Sequence, residues 1–204
     1  LSGLANYGAL WVLWLLVALS VAALAVVLER AVLFVSSRDD LARLRIELRR
    51  LLSRGELEAA RHRLEESPSF EARVAAAGLQ SDGADSAEER MRGETELARL
   101  NMERHLALLG TLGNNAPFVG LLGTVIGIVR AFRELGSGGG QVSAGLMAEI
   151  GEALVATALG LLVALPAVAF YNFYHRVIRV RLGRTDALCR EILAFRKSRP
   201  LDAE

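Results

Sequence analysis

Residues 148–172, AEIGEALVATALGLLVALPAVAFYN, form an apolar run long enough to cross a bilayer, yet they carry a carboxylate, Glu152, and a hydroxyl, Thr157. A hydrocarbon core of about 30 Å takes about 20 helical residues. A charged residue at the centre of such a helix costs roughly 2.5–3.5 kcal/mol on insertion scales. An acid in that position therefore marks a functional site by default. Any fold for the chain must explain why that cost is tolerated.

Two further blocks share this character. Of the 204 residues, 52% are hydrophobic, above the roughly 45–50% usual for a soluble domain. The excess gathers in residues 9–28, 106–134 and 144–174. Each block can span a membrane, which predicts an all-α membrane protein with three transmembrane helices. Residues 1–204 then form a single domain whose polar parts, 29–105 and 175–204, are helical extensions into the cytoplasm.

The net charge of +1 decides little, but the placement of the 24 Lys and Arg residues does. Residues 1–28 contain none, 29–105 contain 14, and 175–204 contain 8; Arg130 and Arg133 flank the far end of the second block. Positive residues gather on the cytoplasmic side. The N-terminus and the loop at 135–143 are therefore expected outside. Ala23-Leu24-Ala25 has the look of a cleavage site, but no basic stretch precedes it and the block is about 20 residues long, so it is read as the first span. Cys189 is the only cysteine, and His62, His105 and His175 are far apart, so neither a disulfide nor a metal site is expected.

The first span holds no acid and reads as lipid-facing support, with Tyr7, Trp11 and Trp14 suited to an outer aromatic belt. Leucines at helical spacing predict a helix over 39–52, which packs on its neighbours in preference to binding anionic lipid. A break at Gly55, a helix over 56–66 closed by Pro68, and a helix over 70–79 follow. Ser86-Ala-Glu-Glu89 fits a capping box. Because no proline appears before Gly110, one unbroken helix is expected from there into the second span.

The second span holds too many glycines for a helix that faces only lipid. Gly123 and Gly127 form a small-xxx-small pair, and Gly145, Gly151, Ala156 and Gly160 offer a matching face on the third span. Asn114 and Asn115 are placed to hydrogen-bond across helices, and Pro117 and Pro166 to bend their spans. Thr124 lies near mid-membrane. One acid and two hydroxyls, Glu152, Thr124 and Thr157, make a polar lining of the kind a proton or cation pathway needs. The competing reading of Glu152 is a buried carboxyl that merely ties helices together. Three helices scarcely enclose a pathway, so a homo-oligomer, added partner helices, or both are expected. The GSGGGQ loop lacks GK[ST] and is not a phosphate-binding loop.

APFVGLLGTVIGIVRAF followed by GEALVATALGLLVALPAVAFYN resembles the second and third spans of the ExbB and TolQ family, with the flagellar stator protein MotA more distant. The likeness is close over residues 110–176 and extends elsewhere in topology. It implies that Thr124, Glu152 and Thr157 are pore-lining, that the chain forms a ring, commonly a pentamer, and that it sits in a bacterial inner membrane. It further implies a single-span partner of the ExbD or TolR type that brings a membrane aspartate, with a TonB-like, TolA-like or motility protein beyond it. Glu149 departs from the small or neutral residue usual there. The expected function is a proton-conducting stator subunit with no bound cofactor; the rival is a non-conducting scaffold that recruits proteins through its polar helices. No nucleic-acid partner is expected. An enzyme is not expected either, since no nucleophile–base pair or Walker motif appears.

Overall fold

The computed structural model describes residues 10–137 and 144–198, and the regular structure within them is helical throughout. Its elements are α1 (Leu10–Ser36), α2 (Leu41–Arg54), α3 (Leu57–Glu65), α4 (Phe70–Leu79), α5 (Ala84–Glu103), α6 (Leu106–Ser137) and α7 (Ala144–Ser198). The stretches containing α1, α6 and α7 are long and apolar enough to cross a membrane. The expected lead-in with Tyr7 and the centre of the Gly-rich loop lie outside the described residues. The chain divides into two compact units, Leu1–Leu28 with His105–Phe173, and Glu29–Arg104 with Tyr174–Glu204.

In the first unit, Val12 and Leu16 of α1 are buried with Ala116 of α6 and with Val163 and Ala164 of α7. The outward residues are as apolar as the inward ones: Val21, Leu121, Val125, Phe132, Leu154 and Leu165 are all exposed. Such a surface suits lipid or further helices, because water would penalise it. Trp14, one of the aromatics expected in an outer belt, is 72% exposed. Trp11 instead packs half-buried against the Val12 cluster. The first span is thus not purely lipid-facing; one stripe of it closes the core. Both α6 and α7 run through their prolines, Pro117 and Pro166.

The second unit has a conventional core. The Asp40 side chain accepts from the Arg43 amide to cap α2, and Gly55 ends it in the left-handed conformation, φ 79°. Glycine takes that conformation without the Cβ penalty. Leu44, Leu48 and Leu52 of α2 are buried with Leu64, Ala75, Met91 and, from α7, Leu188 and Ile192. Arg43, Arg49 and Arg50 point outward. This is the packing helix the leucine spacing predicts. Helix α4 begins at Phe70 because the Ser69 hydroxyl accepts from the Ala72 amide.

Two expectations fail nearby. Helix α5 starts at Ala84, so Ser86 lies inside its first turn and donates back to the Gly83 carbonyl instead of forming a capping box. The unbroken helix is also interrupted: Arg104 leaves the helical region, at ψ 136°, and His105 turns left-handed, at φ 63°. Histidine enters that region more readily than most side chains, so no glycine or proline announces the break.

A buried ion pair fastens this unit. The Arg181 guanidinium donates to both carboxylate oxygens of Glu71, at 2.9 and 2.7 Å. It also donates to the Ser37 hydroxyl and carbonyl, each at 2.7 Å, and lies 5.1 Å above the Phe70 ring. Glu71 is 0% and Arg181 7% exposed.

Burial, helped by the nearby Asp186 charge, pushes the Cys189 thiol up to about 11 from 9.0. The thiolate is the reactive form. Alkylation by iodoacetamide at pH 7.5 is therefore expected to be about a hundredfold slower than for an unperturbed thiol of pKa 9.0. Labelling at the free-thiol rate would show that Cys189 is not buried as described.

Candidate functional site

Helices α6 and α7 approach closely along a seam of small residues. A Cβ added at Gly120 would lie 2.7 Å from the Ala156 carbonyl oxygen and 3.2 Å from the Gly160 Cα. One at Gly160 would lie 2.7 Å from the Ala116 carbonyl oxygen. The same contact continues where Gly123 meets Ala156 and Gly127 meets Ala153, at 2.7 and 2.5 Å for the added carbon. Small residues thus let two backbones meet, as the small-xxx-small pattern requires. Gly120, one of the glycines that crowd the second span, meets backbone atoms of α7 just ahead of the Gly123–Gly127 pair. Gly151, expected on the seam, faces open space instead.

This closeness places Thr124 against Thr157, whose hydroxyls share a hydrogen bond. Thr124 Oγ1 is also 3.1 Å from the Ala153 carbonyl on α7, and Thr157 Oγ1 is 3.3 Å from the Gly120 carbonyl on α6. The alternative for Thr124, a bond back to its own helix at Gly120, is the longest of its contacts at 3.4 Å. Both hydroxyls therefore bridge the helices. Spans separated by 33 residues in sequence are joined at their polar centre.

Glu152 stands five residues before Thr157 on α7, half-buried. Its Oε1 is buried and, among the described residues, has no hydrogen-bond partner. A buried acceptor left without a donor costs about 1–3 kcal/mol. A carboxyl that tied helices together would show the partner it ties to, so this geometry weighs against the purely structural reading. One turn from Glu152, Glu149 meets Arg130 of α6, with 3.3 Å between Oε1 and Nη2. Sequence reasoning set both at the far end of their spans but did not pair them, because nothing in local spacing links residues on different helices.

The asparagines depart from expectation. Asn115 donates to the Thr111 carbonyl of its own helix, at 2.8 Å, and both Asn114 and Asn115 are exposed, so among the described residues the cross-helix bond expected of Asn115 is not formed. An amide side chain one turn along a helix reaches its own i−4 carbonyl more readily than a neighbouring helix.

Residues 66–186 match the family model of the MotA/TolQ/ExbB proton channel family. Over 87 residues the chain is 42% identical to a putative biopolymer transport protein ExbB-like 2 of Helicobacter pylori, covering 43% of this chain and 58% of that one. It is 44% identical over 87 residues to the biopolymer transport protein ExbB of Neisseria gonorrhoeae, covering 43% and 40%. The ExbB of Aquifex aeolicus is 41% identical over 87 residues, covering 43% and 59%. The matched stretch thus spans between two fifths and three fifths of these relatives.

Proposed function

The chain belongs to the MotA/TolQ/ExbB proton channel family, and we propose that it is the pore-wall subunit of an inner-membrane motor driven by the proton motive force. The observation that carries this reading is the buried, unpartnered Oε1 of Glu152, five residues before Thr157, whose hydroxyl is bridged to Thr124. A carboxyl kept without a donor has acceptor capacity free for an arriving proton or for a donor on another chain.

In this reading several copies, five by family likeness, form a ring through the exposed apolar faces of α6 and α7. The ring surrounds the membrane helix of a single-span ExbD- or TolR-like partner that carries an aspartate. That aspartate is the moving acid. Glu152 relays the proton to it or sets its proton affinity, and the two threonines bond it as it passes. A potential of 100 mV supplies about 2.3 kcal/mol per charge, so a demanding work step takes several protons. The work is done in the cell envelope, whether TonB-type uptake, Tol-type constriction or gliding-type motility. The polar unit lies in the cytoplasm, where it lengthens the contact between subunits.

Glu152→Ala is expected to abolish the driven process in cells while the complex still assembles, as judged by co-purification with the partner. A fully active Glu152→Ala strain would overturn this reading, whereas the non-conducting scaffold predicts no proton flux in liposomes with the partner.

A further inference from the structure

The Arg130–Glu149 pair is the one feature of this region that the proposed pathway leaves unused. With a helical rise of about 1.5 Å per residue, Arg130 lies about 9 Å beyond Thr124, and Glu149 about 12 Å from Thr157 in the same direction. The pair thus stands just past Glu152, at the Ser137 end of α6 and the Ala144 end of α7. Here too the helices are close: a Cβ at Gly127 would be 2.5 Å from the Ala153 Cβ and 3.3 Å from the Glu149 carbonyl oxygen. The Arg130 and Glu149 side chains are only 31% and 22% exposed.

Glu149 and Glu152 are three residues apart on one helix, which sets their Cβ atoms about 5–6 Å from each other. A guanidinium with several donors and a long flexible stem can serve either carboxylate. Glu149 holds it, and the Glu152 Oε1 is left without a donor. Left unpaired, that guanidinium would take Glu152 as its charge partner and occupy the oxygen the pathway needs. The other charged groups at this end are Arg133 and Glu134 on α6. Glu134 lies against the start of α7, where a Cβ at Gly145 would come 2.5 Å from its Oε1.

We propose that Glu149 is a positioning residue: it holds the Arg130 guanidinium off Glu152 and so keeps that carboxyl available. The proposal rests on Glu152 being the pathway acid, but its first test does not need conduction. Infrared difference spectra of the full chain in liposomes, with the Glu152 carboxyl band assigned through E152Q, report what that carboxyl bonds to. In E149Q the Glu152 band is expected to move. In E149D, which keeps the pair, and in R130Q/E149Q, which removes both charges, it is expected at the wild-type position. An unmoved band in E149Q, whether Arg130 turns to Glu134 or to solvent, overturns the proposal.

Conduction with the single-span partner gives the second readout. E149Q is expected to lower it by about 10–100-fold, the factor one added charge-assisted bond imposes on a barrier. R130Q/E149Q is expected to restore it, which a merely structural role for Glu149 would not allow. Loss in E149Q without rescue overturns the proposal. A band shift in E149Q alongside a Glu152→Ala variant that conducts normally would support the positioning role and sink the pathway reading instead.

Discussion

Glu71→Ala is expected to destabilise the polar unit by about 3–5 kcal/mol, the cost of leaving one member of a buried ion pair uncompensated. Glu71 is fully buried, and Arg181 keeps only 7% of its surface. Removing the carboxylate leaves the guanidinium with the Ser37 oxygens and the Phe70 ring but no counter-charge. Domains are stable by roughly 5–15 kcal/mol, so this one change consumes a large fraction of the total. Amide hydrogen exchange across Phe70–Leu79 reads it directly, with protection expected to fall about 10²–10⁴-fold. Replacing both members, as in Glu71→Leu with Arg181→Met, is expected to recover most of the loss, because apolar pairs often substitute for buried ion pairs at little cost. Unchanged protection in Glu71→Ala would show that the pair does not hold this unit.

Gly120→Ala is the second large effect. The added methyl meets the Ala156 carbonyl oxygen at 2.7 Å and the Thr157 Cα at 3.1 Å. These are backbone atoms and cannot rotate away, so α6 and α7 must separate. Overpacking of this kind costs about 1–3 kcal/mol, and separation also breaks the Thr124–Thr157 bridge. A lower melting temperature is therefore expected together with loss of proton-driven work. Gly151→Ala is the matched control, since nothing lies within 4 Å of its added carbon. There the better helix propensity of alanine, worth up to about 1 kcal/mol, leaves stability equal or higher. If both variants behave alike, the seam is not where the helices meet.

What local chemistry encodes was readable in the residues. Helix α4 spans Phe70–Leu79 as its sequence predicts, and Gly55 ends α2 where a left-handed residue was required. The threonines could be singled out because a hydroxyl in an apolar run must bond to something, and the glycines showed that another helix comes close. What stayed hidden has no local signature. Glu71 and Arg181 are 110 residues apart, and each alone reads as a solvated surface charge. The break at His105 uses a residue that helices usually tolerate. The Arg130–Glu149 pair depends on the relative rotation of two helices, which hydrophobic periodicity leaves undetermined when a span is apolar on every side.

The proposed motor role requires that Glu152 lie on a proton path. Purified chain and the proposed single-span partner, reconstituted in liposomes under an imposed potential, are to be compared with the same complex carrying Glu152→Ala, using a pH-sensitive dye in the lumen. Proton uptake by the wild-type complex and its reduction to the level of empty liposomes in Glu152→Ala are expected, with Thr124→Val/Thr157→Val intermediate. Equal uptake by wild type and Glu152→Ala, or none by a correctly assembled wild-type complex, would contradict it.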